Sequence, residues 1–283
     1  MNPIRLIALD MDGTLLLSDH RTLPPENIEA IRRADAAGIR VCICTGRMLE
    51  DASDFIHRLD LPCMIIAANG ARASDGPLPE GRVLLRRSFA PADARRAIDA
   101  LLPFGLMVNG FEDGLVSTVQ DGTGRVYHLV ERGLIPVRYG EAALFAAAER
   151  GLMKLFAVGQ GSGIGDDRDP RIAPAREAVR TALPDAQITS SAQGNIEVMP
   201  EGVSKGTALA AVAEQMGLTR ENVMAVGDAA NDLSMLRYAA HSVAMGNASP
   251  EVLSVCRHRT ATNDEMGVAR IISRVLDGSL SDE

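Results

Sequence analysis

Aliphatic runs that stop at polar residues set the rhythm of this chain. Residues 4–10 (Ile-Arg-Leu-Ile-Ala-Leu-Asp) read as a strand ending in a carboxylate, and 40–45 (Arg-Val-Cys-Ile-Cys-Thr) as one ending in a hydroxyl. Helices are predicted over 25–37 and 48–59 and a further strand over 63–68, an alternation that implies right-handed βαβ crossovers and a parallel sheet. The alternation resumes with an Ala-rich helix over 204–216 and an apolar strand, 223–227, ending at Asp228. Between the two stretches the pattern changes. Strands are predicted near 83–89, 106–110, 115–119, 152–158 and 186–190, with helices near 91–102, 141–150 and 171–183. Many strands with few helices describe an inserted α+β module. The fold expected is α/β, a Rossmann-like doubly wound parallel sheet, divided as 1–82, an inserted 83–190 and 191–283. Asn69-Gly70-Ala71 and the segment from Asn195 to Gly202 read as the two connections.

Four polar clusters punctuate the predicted strand ends. Asp10 and Asp12 share a face if the chain stays extended, and two anions in one space call for a cation. A divalent metal would meet that need and would neutralise a phosphate approaching an Asp nucleophile. Gly13 turns the chain past the site. Asp-Gly alone is an ordinary turn, so the other clusters decide. Thr45-Gly46-Arg47 offers a hydroxyl and successive backbone N–H groups, the donors a phosphoryl oxygen requires. Lys205 in Ser204-Lys205-Gly206 is a point charge at the head of a helix. Gly227-Asp228-Ala229-Ala230-Asn231-Asp232 adds a further oxygen ligand and two polar residues opening the next helix. All four fall just past the carboxyl ends of predicted parallel strands, where open α/β sheets bind ligands.

Composition narrows the function classes. With 283 residues, 46% apolar, the chain can bury a sizeable core. A formal charge of -8, no Trp and only three Tyr and six Phe disfavour a nucleic-acid partner. No stretch approaches 18 apolar residues and Met1-Asn2-Pro3 leads directly into the first strand, so no membrane partner and a cytoplasmic location are expected. Cys42, Cys44, Cys63 and Cys256 lack metal-type spacing and read as reduced structural thiols. His20, His57, His128, His241 and His258 fall in no motif and read as surface or packing residues. Asp121-Gly122-Thr123 echoes the first cluster but has Val119 where its first Asp would stand, and 159–174 reads as a Gly/Asp-rich loop.

At these residues the chain resembles the haloacid dehalogenase-like hydrolase superfamily, and more narrowly its Cof-type phosphatases with a C2B cap. Asp10-Met11-Asp12-Gly13-Thr14, Thr45-Gly46-Arg47, Lys205 and Gly227 to Asp232 match the four family motifs in order. Ser234-Met235-Leu236, Val243 to Ala248 and Asn263 to Val268 look like Cof-type signatures. The resemblance implies that Asp10 is the nucleophile and Asp12 the acid/base, with Mg2+ held by Asp10, Asp228 and the backbone carbonyl of Asp12. It implies that Thr45, Gly46, Lys205 and Asn231 hold the phosphoryl oxygens, that Asp232 orients Lys205 or a metal-bound water, and that Arg47 touches either the substrate phosphate or the cap. The activity implied is Mg2+-dependent hydrolysis of a small phosphorylated metabolite, a sugar phosphate foremost, through an aspartyl phosphate. A phosphomutase of the same superfamily and a non-enzymatic phospho-Asp switch are the alternatives. A monomer or weak homodimer is expected.

Overall fold

The computed structural model describes residues 3–58, 60–119, 135–159, 169–190 and 194–280. The Asp121-Gly122-Thr123 echo, His128 and most of the Gly/Asp-rich loop lie outside them. The first part of the chain runs β1 (Leu6–Leu9), α1 (Pro25–Ala36), β2 (Arg40–Cys44), α2 (Leu49–Arg58), β3 (Cys63–Ala67), β4 (Arg72–Ser74) and β5 (Val83–Arg86). A middle part follows with α3 (Pro91–Leu101), β6 (Met107–Glu112), β7 (Leu115–Thr118), β8 (Val137–Tyr139), α4 (Glu141–Arg150), β9 (Lys154–Val158), α5 (Ile172–Ala182), β10 (Gln187–Thr189) and β11 (Asn195–Met199). The chain ends with α6 (Lys205–Gln215), β12 (Val223–Gly227), α7 (Leu233–Tyr238), β13 (His241–Ala244), α8 (Pro250–Val255), β14 (His258–Arg259) and α9 (Gly267–Leu276).

The first sheet has the order β14-β13-β12-β1-β2-β3-β4-β5. Its strands are parallel from β14 through β3, and β4 and β5 join antiparallel. Parallel strands covered on both faces must be apolar throughout, and every residue of β1, β3 and β12 is buried. Helices supply the cover. In α9 the apolar stripe Val268, Ile271 and Ile272 is buried, and the helix packs on α1, where Asn27 accepts from Ala269 N and donates to Leu15 O. From β1 the chain builds β2 and β3 to one side and later β12 and β13 to the other. That reversal opens a crevice at the carboxyl end of β1.

The second sheet, order β10-β11-β9-β6-β7-β8, is antiparallel apart from the parallel pair β7 and β8. Val108, Leu155, Ala157, Ile196 and Val198 form its core with apolar residues of α3, α4 and α5. Alternation sends Asn109, Phe111, Lys154, Phe156 and Glu197 to the opposite face, where Lys154 and Glu197 form a buried ion pair at 2.6 Å.

Two compact units result, Met1–Arg86 with Ser204–Glu283, and Arg87–Val203. The boundaries drawn at 83 and 190 are corrected by strand pairing. Residues 83–86 are β5, paired with β4 in the first sheet. The segment from Asn195, read as a connection, is largely β11, which pairs with both β9 and β10 inside the second sheet. No helix among the described residues is long and apolar enough to cross a membrane.

Candidate active site

Strand β1 ends at Leu9, and Asp10 N still donates to Val226 O of β12 at 3.0 Å, which fixes the residue in the crevice. The chain does not stay extended beyond it. Met11–Leu15 forms a wide helical turn in which Asp12 has φ -86 and ψ 120 and Gly13 has φ 81. The shared face expected for Asp10 and Asp12 is therefore corrected: the turn sends the two carboxylates to different partners. Gly13 is required twice over, by its left-handed backbone and because a Cβ there would stand 2.5 Å from Asp228 Oδ2.

A charged knot forms around Lys205. Ser204 caps α6 reciprocally, its Oγ accepting from Thr207 N at 3.1 Å while Thr207 Oγ1 accepts from Ser204 N at 3.0 Å. This cap places Lys205 in the first turn with its side chain fully buried. Its Nζ donates to Asp10 Oδ1 at 2.5 Å and to Asp232 Oδ1 at 2.7 Å. Asp232 Oδ2 accepts from the backbone N–H groups of Asp228 (3.0 Å) and Ala229 (3.1 Å), so this residue orients the loop and the lysine. Asp228 Oδ1 accepts from Thr14 Oγ1 at 2.7 Å.

Oxygens of Asp10, Asp228 and Asp232 lie within 4.8 Å of one another. Burial, then the charges of Asp232 and Asp228, push the Asp10 carboxyl well up against the pull of Lys205. Burial and then Asp232 push Asp228 up to about 7. Burial alone would lower the Lys205 ammonium, but Asp10 and Asp232 hold it well above its ordinary range. When all three carboxylates are ionised, the one ammonium leaves an excess of two negative charges. Among the described residues no hydrogen bond reaches Asp10 Oδ2 or Asp228 Oδ2, and Asn231 Oδ1 is buried without a partner. Hard oxygen donors with that charge, beside an amide oxygen able to accept from a metal-bound water, fit a divalent cation such as Mg2+.

Asp12 answers to a different set of groups. Arg47 grips its carboxylate with both edges, Nε to Oδ2 at 2.9 Å and Nη2 to Oδ1 at 2.6 Å, and Nη2 also donates to His20 O at 3.0 Å. His20 Nδ1 stands 3.3 Å from Asp12 Oδ1. Burial works to raise Asp12, but hydrogen bonds from Arg47 and His20, with their charges, hold it well below the usual carboxylate range. Its contact with Asp12 pushes His20 up in turn. Sequence reasoning placed Arg47 at the phosphate or the cap and took His20 as a surface or packing residue. Here the partners of Arg47 are Asp12, the His20 carbonyl and Asp51 at 3.5 Å.

Thr45 is buried at the end of β2, and its Oγ1 accepts from Arg47 N at 3.1 Å, with Gly46 between them. The hydroxyl hydrogen keeps its freedom to donate. Residues of the tail signatures hold the turn after Asp10. Asn247 Nδ2 donates to Gly13 O at 2.8 Å and Asn263 Nδ2 to Leu16 O at 3.0 Å. Asp264 accepts from Ser18 N at 2.9 Å and Ser18 Oγ at 2.7 Å. These roles and that of Thr14 escaped the sequence reading, although the signatures had marked the segments.

Comparison with known proteins identifies the family. The pattern of the haloacid dehalogenase-like hydrolases matches residues 7–272. The chain belongs to that family, in its Cof-type phosphatase branch. It is 32% identical over 300 residues to the 5-amino-6-(5-phospho-D-ribitylamino)uracil phosphatase YwtE of Bacillus subtilis (strain 168), covering 97% of this chain and 99% of that protein. It is 29% identical over 263 residues to the HMP-PP phosphatase of Cronobacter sakazakii, covering 90% of this chain and 88% of that one. A solved haloacid dehalogenase-like hydrolase from B. subtilis superposes with a TM-score of 0.83 at 29% identity, covering 95% of this chain and 99% of that one.

Proposed function

We propose that the chain hydrolyses phosphate monoesters of small metabolites, sugar phosphates foremost, through a phospho-aspartate on Asp10. The observation that carries this reading is the position of Asp10, at the carboxyl end of the central strand with Oδ1 gripped by Lys205. Lys205 Nζ and the donors at Thr45, Gly46 and Asn231 are the groups we assign to the phosphoryl oxygens. A carboxylate oxygen of Asp10 attacks phosphorus as the bond to the leaving oxygen breaks, and Asp12 gives that oxygen its proton. Water then attacks the phosphorus, Asp12 takes back a proton, and inorganic phosphate leaves with Asp10 restored. Asp10, Asp228 and the backbone carbonyl of Asp12 are the groups we assign to Mg2+, which when bound neutralises charge on the phosphoryl group.

The relatives named above carry names for phosphorylated compounds of two kinds, one bearing a phosphorylated ribityl chain, which supports a small phosphorylated metabolite as the substrate. Metal and phosphoryl group are common to every such ester, so we assign the ranking of leaving groups to the unit Arg87–Val203. A panel of phosphate esters with Mg2+ or EDTA, paired with acid-quench trapping of labelled protein, tests the reading. Hydrolysis that survives EDTA, or turnover without any trapped phosphoprotein in the wild type and the Asp12→Asn variant, would sink it.

A further inference from the structure

The turn after β3 takes three consecutive residues into left-handed backbone: Ala68 at φ 49, Asn69 at φ 54 and Gly70 at φ 102. Asparagine and glycine tolerate that region, whereas alanine rarely enters it. Such a conformation persists where the surroundings over-determine it. Here they do. Ala68 N donates to Arg47 O at 2.7 Å and Asn69 N to Thr45 O at 3.1 Å. A Cβ on Gly70 would strike the carbonyl oxygen of Ser204, the residue before Lys205. Asn69 Oδ1 accepts from Asn231 Nδ2 at 3.3 Å, both side chains being buried. One three-residue turn thus touches the segments that carry Thr45, Arg47, Lys205 and Asn231.

We infer that Asn69 is a positioning residue for phosphoryl binding, acting through the Asn231 amide. The inference rests on the phosphatase reading above. A primary amide has a donor end and an acceptor end of nearly the same shape, and only the donor end is useful to an anionic oxygen. With Asn69 Oδ1 turned toward Asn231 as it is here, one orientation is selected, because the flipped Asn231 amide would set its Oδ1 against Asn69 Oδ1 with no proton between them. The second N–H of Asn231 then remains for a phosphoryl oxygen. The backbone bonds of Asn69 tie the same turn to Thr45, so two phosphoryl-binding groups keep one register.

The variant that isolates the side chain is Asn69→Gly, since glycine accepts φ 54 and keeps the N–H bond to Thr45. Hydrolysis of p-nitrophenyl phosphate with Mg2+ should lose about tenfold to a hundredfold in kcat/KM, the usual effect of removing a group that orients a ligand-binding one. Competitive inhibition by inorganic phosphate should weaken by a similar factor. In an Asn231→Ala background, Asn69→Gly should change neither value by more than about twofold. Wild-type kcat/KM and phosphate inhibition in Asn69→Gly would overturn the inference. So would a loss of equal size in both backgrounds, because a merely structural role adds independently. Should Asn69→Gly not fold, Asn69→Asp carries the same test, for it keeps the acceptor. Asn231→Ala must then lower kcat/KM as much in Asn69→Asp as in wild type, and a tenfold smaller effect overturns the inference. A wild type that binds phosphate in calorimetry yet hydrolyses no ester refutes the phosphatase reading alone, and the cycle is then read in the phosphate Kd. A wild type that binds no phosphate refutes both.

Discussion

Replacing Asp228 by Asn should make the metal-free protein more stable while removing most of its response to Mg2+. The substitution keeps the shape and the oxygen that accepts from Thr14, and it removes one of the charges crowded around Lys205. In the folded protein burial and then Asp232 push this carboxyl from 3.8 up to about 7, and each tenfold change in acidity is worth about 1.4 kcal/mol. A raised carboxyl stays protonated in the fold after the unfolded chain has lost its proton, so the penalty grows as pH rises from 4 and is complete above 7. Its ceiling is about 4 kcal/mol, and partial exposure with sharing among three carboxylates brings the expected gain to about 2 kcal/mol. For a chain of this size that raises Tm by about 3 °C at pH 8 in EDTA. At pH 5.5 the gain should fall to about half. Excess Mg2+ should reverse the order, because the wild type gains binding energy that the variant lacks. The assay is differential scanning calorimetry at both pH values, with EDTA and with Mg2+. A variant less stable than wild type in EDTA at pH 8, or Tm gains from Mg2+ of equal size in the two proteins, would refute the reasoning.

Asp10→Asn should lose several orders of magnitude in kcat while its circular dichroism is unchanged, and a clean preparation keeping a tenth of wild-type activity would remove Asp10 as nucleophile. Asp12→Asn should still accept the phosphoryl group from p-nitrophenyl phosphate, whose leaving group needs little protonation, but should fail to hydrolyse the intermediate. Labelled phosphoprotein should then accumulate, and equal damage on activated and unactivated esters with nothing trapped contradicts the acid/base role. Gly13→Ala should lose about 1–3 kcal/mol of stability from backbone strain and weaken Mg2+ binding by displacing Asp228. Thermal unfolding reads the first effect and calorimetric titration the second, and an unchanged Mg2+ affinity speaks against the close approach at that turn.

The parts of the fold legible in the sequence are those whose burial is symmetric. Strands β1, β2, β3 and β12 are nearly uninterrupted aliphatic runs because helices cover both faces, and their ends announce themselves at Asp10, Thr45 and Asp228. Strand β11 was missed for the opposite reason. Asn195 and Glu197 look solvent-bound in sequence, yet the fold buries them, and Glu197 finds Lys154 on the neighbouring strand. No local pattern signals a partner 43 residues away. Residue type and order gave the groups that gather around Lys205. They did not give direction, since the i, i+2 rule assumed a strand that ends at Leu9, and a turn geometry set by Gly13 decided where Asp12 points. His20 reaches Asp12 only because that turn folds back, and Asn69 meets Asn231 across a separation of 162 residues.

Two carboxylates two residues apart are driven in opposite directions, and both directions oppose the roles we propose for them. A nucleophile must be ionised, yet Asp10 is pushed up by burial, Asp232 and Asp228. A general acid must carry a proton, yet Arg47 and His20 hold Asp12 ionised. The resting site is therefore at rest for electrostatic reasons, and its ligands supply the corrections. A divalent cation held by Asp10 and Asp228 would offset the repulsion that raises Asp10 and would make use of the negative charge gathered there. A phosphoryl dianion entering beside Thr45 and Lys205 brings an anion to a neighbourhood where Arg47 now serves Asp12 alone among catalytic groups, and any share of the guanidinium it draws off lets Asp12 rise toward a pKa at which it can hold a proton. With the roles proposed for Asp10 and Asp12, the clamp on Asp12 would guard against idle chemistry: the acid/base would be set free by the group it is to act upon, and the nucleophile ionised by the cation.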